Sequence, residues 1–332
     1  MLKYPSIRMQ RYRKSDSIRS LFSMDVPPPN KFVWPVFLVD GESVKDEISS
    51  MPNQYRYSID MLINDLPRVI EQGINSILLF ASIESDLKDE IGSYACSRDD
   101  IVNRAIPIIK KSFPSLTIIT DVCLCAYTDH GHCAPLDKDG HIDNDRSLEQ
   151  LSKIAVVHAK SGADMVAPSA MMDGQVFAIR EALNFAGFKD VMIMSYSTKF
   201  ASNLYGPFRD AENSAPIAGG RDSYQIPYDS TFQALRESQL DEQEGADILM
   251  VKPALFYLDI VSKVKSDSSI PVAVYNVSGE YSMLYAMADR GFGDLYALAA
   301  ESLVSMKRAG ADIIISYWSN QYNKVFGIGE NE

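Results

Sequence analysis

From position 32 to position 317 the chain alternates between short apolar runs and longer stretches in which apolar residues return at helical spacing. The apolar runs predict strands over 32–39, 75–82, 116–124, 164–168, 191–197, 247–251, 270–277 and 312–317. Helical spacing falls between them, over 58–72, 98–112, 147–161, 173–185, 230–244, 255–265, 281–287 and 294–308. Three helices run into the next strand through a Gly-Ala-Asp step, at Gly162, Gly245 and Gly310, where glycine readily takes the left-handed cap that turns the chain. Nearly continuous apolar strands that alternate strictly with helices imply a parallel sheet covered by helices, and eight such units predict a closed (β/α)₈ TIM barrel. An open doubly wound sheet ranks lower, because no glycine-rich nucleotide loop follows the first strand. In a barrel the chemistry collects at the C-terminal strand ends. That rule singles out Cys123 and Cys125 at the end of strand three, Ser169 after strand four and Lys199 after strand five. Lys252 follows strand six, Ser278 follows strand seven, and Tyr317 ends strand eight.

Composition narrows the class of function. An apolar share of 46% in 332 residues supports a large core, and a net charge of −12 argues against a nucleic-acid binder. No apolar run is long enough to span a membrane, and the N-terminus lacks the apolar centre of a secretory signal, so a soluble cytoplasmic protein is expected. The first 24 residues carry Lys3, Arg8, Arg11, Arg13, Lys14 and Arg19 against the single acid Asp16. An organelle address has this composition, but Pro27, Pro28 and Pro29 lead straight into the first strand. The preferred reading is an N-terminal arm over 1–30 that packs on a neighbour, ahead of a single catalytic barrel over 31–332.

The densest chemistry lies at 121–133, Asp-Val-Cys-Leu-Cys-Ala-Tyr-Thr-Asp-His-Gly-His-Cys, which holds three of the four cysteines. Cys123 and Cys125 are spaced to point the same way at a strand end, and the following loop can return Cys133 to them. Three thiolates suit zinc and leave its fourth position open. Buried cysteines of no special role are the plainer reading, disfavoured by the density of the cluster; a disulfide between neighbours one residue apart is disfavoured by geometry. Lys199 and Lys252 fall on adjacent strand ends, where two ammonium groups depress each other's pKa and release a neutral amine able to form a Schiff base with a ketone. The long loop over 198–227 adds Tyr205, Phe208, Arg209, Arg221 and Gln225, with forked donors for a carboxylate and the composition of a lid.

The ordered motifs resemble porphobilinogen synthase, also called 5-aminolevulinate dehydratase. They are Asp-Val-Cys-Leu-Cys with Gly-His-Cys, Val-Ala-Pro-Ser before Met-Met-Asp-Gly, Tyr-Gly-Pro-Phe-Arg-Asp-Ala, Met-Val-Lys-Pro-Ala and Val-Ser-Gly-Glu-Tyr. The resemblance implies condensation of two 5-aminolevulinate molecules to porphobilinogen with loss of two waters, an early step of tetrapyrrole synthesis. It implies Schiff bases at Lys252, for the first substrate, and Lys199, for the second, and one catalytic zinc on Cys123, Cys125 and Cys133. Arg209, Arg221 and Gln225 would hold the second substrate's carboxylate, Ser278 and Tyr317 the first's, with Asp121 and Ser169 as supporting polar residues. Glu237 resembles a position that binds an activating magnesium in some members, and the family assembles as homo-octamers whose arms wrap a neighbour. The chain departs from the pattern at Ala170 (usually aspartate), Gln175 (usually arginine), Ala134-Pro135 and Ser316-Tyr317-Trp318. Ser223 stands where some members have a further cysteine, so one zinc per site is expected. Two rival readings remain: a catalytically retired barrel that holds zinc as a structural or interaction protein, and a different Schiff-base lyase. The second needs only one lysine and no metal.

Overall fold

The computed structural model describes residues 3–217 and 219–328. In chain order its strands are β1 (Phe32–Leu38), β2 (Lys45–Glu47), β3 (Tyr55–Tyr57), β4 (Ser76–Ala81), β5 (Thr117–Val122), β6 (Met165–Pro168), β7 (Met192–Lys199), β8 (Ile248–Lys252), β9 (Val272–Asn276) and β10 (Ile313–Ser316). The helices are α1 (Asp16–Phe22), α2 (Ile59–Ile70), α3 (Ile101–Ser112), α4 (Asn144–Ser161), α5 (Gln175–Phe185), α6 (Gly206–Glu212), α7 (Thr231–Glu244), α8 (Leu258–Asp267), α9 (Ser278–Asp289), α10 (Leu295–Ala309) and α11 (Tyr322–Phe326). Among the described residues, β1 and β4 to β10 form a parallel sheet that closes on itself through β1 and β10, with Phe32 opposite Ile314. This is the expected eight-stranded barrel. Every residue of β1, β6, β8 and β9 is buried, as strands packed on both faces require.

The Gly-Ala-Asp steps do more than turn the chain. Gly162, Gly245 and Gly310 sit at φ +105°, +102° and +118° at the ends of α4, α7 and α10. Each following aspartate reaches back to the strand before it: Asp164 Oδ2 accepts from Ile118 N at 2.7 Å, Asp247 Oδ2 from Ile193 N at 2.7 Å, and Asp312 Oδ2 from Val272 N at 2.8 Å. Each also takes a cation from a helix, Lys110 at 2.5 Å, Arg180 at 2.6 Å and Lys265 at 2.6 Å respectively. The same clamp thus fixes register three times at the end of the barrel opposite the site.

Several details differ from the sequence reading. The stretch 198–227 is not structureless: a 3₁₀ turn at Asn203–Tyr205 runs directly into α6. The glycine and proline content hid this helix, although Pro207 suits its first turn. β7 and β8 extend to include Lys199 and Lys252, whereas β5 ends at Val122, so Cys123 and Cys125 lie in the loop beyond it. Likewise β10 ends at Ser316 and Tyr317 opens a 3₁₀ turn. The antiparallel pair β2 and β3, which extends the sheet beside the end of β1, was not anticipated. The chain before β1 is mostly exposed and contains a 3₁₀ turn, Met9–Arg13, and α1. It meets the barrel where Tyr322 donates to Pro27 O at 2.9 Å and Lys307 to Asp25 O at 2.7 Å. No helix among the described residues is long and apolar enough to cross a membrane.

Candidate active site

Lys199 and Lys252 are direct neighbours in the register of β7 and β8. An irregularity between Ser195 and Thr198 restores that pairing at the strand ends. Both are almost fully buried, at 5% and 4% exposure. Lys199 Nζ donates to Ser169 O at 2.5 Å. Lys252 Nζ has a different environment: it sits 4.2 Å from the ring centre of Tyr275, 4.9 Å from those of Tyr196 and Phe208, and 5.4 Å from that of Tyr205. Aromatic faces attract a cation, but they replace little of its hydration. Burial, and then the charge of Lys199, push the Lys252 pKa down to about 7. A substantial neutral-amine population at physiological pH follows. Asp121, on β5, moves up to about 7 through burial and the nearby Glu212 carboxylate, and its Oδ1 is sealed off without a hydrogen-bond partner.

Cys123, Cys125 and Cys133 are buried, and their sulfurs all lie within 4.8 Å of one another. Cys123 Sγ and Cys125 Sγ are 3.3 Å apart. Hydrogen bonds from Cys123 and Cys125 draw the Cys133 pKa well down, while Cys125 is driven well up by its sulfur neighbours and burial. A soft divalent cation fits this donor set of three clustered sulfurs. Tyr224 OH stands 3.4 Å from Cys133 N.

Over these groups lies α6. It is held from outside by Arg56, which donates to Ala211 O at 2.8 Å and Asp210 O at 2.7 Å, and by Lys88 on Asn213 O at 2.6 Å. Its Phe208 packs on Phe37 and Phe80, with ring centres 5.5 and 5.1 Å away, and its backbone N–H donates to Ser278 Oγ at 3.0 Å. Tyr205 OH donates to Phe200 O at 2.8 Å, and Tyr275 and Tyr317 share a hydroxyl contact of 3.1 Å. The result is a nearly closed chamber of about 10 Å³, lined by Asp121, Cys125, Ser169, Lys199, Glu212 and Lys252 among others. No small organic molecule fits that volume, so the lining must move to admit a substrate.

Arg209 Nε, Arg221 Nε and both amide atoms of Gln225 are buried without hydrogen-bond partners. Arg221 lines the chamber, with Arg209 close enough to feel its charge, whereas Gln225 lines the neighbouring cavity; buried donors left unused in this way suit a bound anion. Arg221 also holds Gly131 O at 3.0 Å and Ser214 O at 2.9 Å, tying the cysteine loop to the segment after α6. Glu237 lies apart from the chamber, lining a neighbouring cavity of about 740 Å³; burial and then Asp173 and Glu244 raise its pKa. Ala170 and Gln175 are buried, and Gln175 Oε1 accepts from Met172 N at 3.4 Å. Where the resembled pattern has an aspartate and an arginine, this chain loses both, which leaves the local net charge unchanged. The group that sequence reading missed is Glu212. The helix turns it inward beside Phe208, four positions earlier on the same face, and nothing in the sequence pattern marks that helix.

Comparison with known proteins decides the family. A sequence model described as "Delta-aminolevulinic acid dehydratase" matches residues 6–325. The chain belongs to the delta-aminolevulinic acid dehydratase family. It is 47% identical over 312 residues to the delta-aminolevulinic acid dehydratase of Halalkalibacterium halodurans, covering 94% of each chain, and 48% identical over 318 residues to that of Methanothermus sociabilis, covering 96% of this chain and 98% of the relative. A solved structure from Toxoplasma gondii, described as delta-aminolevulinic acid dehydratase (porphobilinogen synthase) in complex with the reaction product porphobilinogen, superposes with a TM-score of 0.93 at 39% identity. The match covers 96% of this chain and 91% of that one. The activity is that family's hydro-lyase reaction, in which two 5-aminolevulinate molecules condense to one porphobilinogen with loss of two waters, in tetrapyrrole synthesis. The readings as a retired barrel and as another lyase lose their ground.

Proposed function

We propose that Lys252 and Lys199 each form a Schiff base with one 5-aminolevulinate molecule. The observation that carries this is the register pairing of the two amines, with Lys252 pushed to about 7 inside a ring of aromatic side chains. A neutral amine attacks the ketone carbon; water leaves, and the iminium draws electrons from the adjacent carbon. Ser169 O holds the second lysine by accepting from its Nζ, and the Asp121 carboxylate nearby takes up and returns the protons. Arg209, Arg221 and Gln225 receive the second carboxylate through their unused donors. Ser278 and Tyr317, now engaged with Phe208 N and Tyr275 OH, receive the first when α6 reopens. Tyr205 and Phe208 wall the first site and exclude water.

Cys123, Cys125 and Cys133 hold one zinc, which would supply Lewis acidity for orienting an amine or acidifying water. Glu237 binds an activating magnesium with Asp173 nearby. Residues 1–30 serve as an arm on a neighbouring copy in a homo-octamer, residues 31–332 form the catalytic barrel, and the enzyme works in the cytoplasm with no nucleic-acid or membrane partner. To test this, the purified protein is incubated with 5-aminolevulinate and borohydride, and the adducts are mapped by mass spectrometry, with porphobilinogen followed with and without a chelator. Adducts at both lysines, with product lost on chelation and restored by zinc, are expected. Trapping at neither lysine would sink the Schiff-base scheme, and product indifferent to chelation would sink the zinc.

A further inference from the structure

We infer that the Glu212 carboxylate is a fourth protein ligand to the metal held by Cys123, Cys125 and Cys133. The inference rests on the zinc reading above. Glu212 ends α6 and is 2% exposed, and among the described residues it makes no ion pair within 4.0 Å. A carboxylate so placed is costly unless something compensates its charge. Its donor is Cys125 Sγ, 3.3 Å from Glu212 Oε2. That contact suits a thiol and a carboxylate, but metal binding replaces the thiol proton with the ion. Without the proton, two anions would stand 3.3 Å apart, an arrangement that a cation bridging both stabilises.

The dimensions agree. With zinc–sulfur and zinc–oxygen bonds of roughly 2.3 and 2.1 Å, a tetrahedral site places its sulfur and oxygen ligands roughly 3.6 Å apart. The observed 3.3 Å is within a few tenths of an ångström of that edge. Glu212 meets the sulfur cluster at Cys125, whose sulfur lies within 4.8 Å of those of Cys123 and Cys133. Asp121, the other carboxylate in the chamber, has no hydrogen bond to a cysteine and leaves Oδ1 without a partner. Nearby positive charge comes from buried Arg221, which holds Ser214 O just beyond Glu212, and from Lys252 and Lys88, none of them within ion-pair distance of the carboxylate. Because Glu212 travels with α6, opening the lid withdraws the carboxylate and frees the fourth position as substrate enters.

The test uses the full-length protein with Glu212→Gln and Glu212→Ala. Zinc stoichiometry and affinity are measured by competition with a chromogenic chelator, and the visible bands of the cobalt-substituted proteins are recorded without substrate. Wild type is expected to bind one zinc per chain. Both variants should bind it roughly 10- to 100-fold more weakly, and the cobalt bands should shift in position and intensity in each. Glutamine keeps the shape of the side chain, and thermal melts of the metal-free proteins check that folding is retained. Variants with unchanged zinc affinity and cobalt spectra superimposable on wild type would overturn the inference while leaving the three-cysteine site intact. A wild-type protein that takes up no zinc would overturn the zinc reading and this one with it, a result distinguishable because it needs no variant.

Discussion

Lys252 shows how much a side chain's surroundings decide. Its strand-end position was legible from Met-Val-Lys-Pro, and so was the partnership with Lys199, because strand order in a barrel makes consecutive ends adjacent. The enclosing rings were not legible: Tyr196 and Tyr275 come from within strands, where a tyrosine reads simply as core. The shift has a definite sign. Burial lowers the pKa to about 7, so the reactive free amine grows as pH rises through that value and vanishes below it. Reductive trapping at Lys252 by borohydride should therefore increase from pH 6 to pH 8, which quantitative mass spectrometry of the labelled peptide would show; a flat profile would refute the depressed amine. Lys252→Ala should lower kcat by roughly a thousand-fold or more, the scale of losing a covalent nucleophile, while the protein stays folded. Glu212 was illegible for another reason, since a glutamate reveals a role only once the helix that turns it inward is recognised.

At the level of elements, α6 covers the chamber and is the segment proposed to open for substrate. It is short, and outside anchors hold it closed rather than its own helical stability. Removing the Arg56 guanidinium deletes two hydrogen bonds to the last turn. Arg56→Ala is expected to raise KM several-fold and to speed hydrogen exchange across 206–213, with little change in melting temperature; unaltered exchange there would show that Arg56 is not an anchor. Gly279 controls the other side of the lid. A Cβ at this position would lie 2.6 Å from Leu204 O and 2.8 Å from Leu204 Cα, so Gly279→Ala forces apart the turn bearing Tyr205 and the helix bearing Ser278. Loss of most activity with a cooperative melt retained is the expected outcome, measured by steady-state assay and calorimetry. Hydrophobic periodicity marked the long helices well because each buries one face. It marked α6 poorly, because this helix buries its face on an active-site chamber that mixes phenylalanine with charge.

For the whole molecule, the barrel was legible because its eight strands need to be apolar on both sides, and no competing fold demands that eight times. The proposed arm and assembly are less visible in the chain itself, since exposed apolar residues such as Tyr4, Ile7, Leu21 and Phe22 name no partner. In the proposed homo-octamer, deleting residues 1–24 is expected to reduce the mass of the assembly, as light scattering would report, and an unchanged mass would refute the arm's role in it. Stability divides differently from catalysis. Asp247→Ala removes the bonds to Ile193 N and Arg180 far from the chamber; it should lower stability by roughly 1–3 kcal/mol and leave KM unchanged, as denaturant titration and kinetics would establish together.

The three aspartate clamps also bear on how the chain is made. Their cation partners lie 54, 67 and 47 residues from the aspartates, and each clamp falls within one consecutive run that begins with a helix and a strand and reaches the next strand after one helix (α4) or two (α6 and α7, α9 and α10). A nascent chain leaving the ribosome can therefore lock the register of β5 with β6 before α5 has been translated, then of β7 with β8, then of β9 with β10. The seam between β1 and β10 joins the first strand to the last, so the edge of β1 stays open longest and is the part of the growing chain most in need of a chaperone.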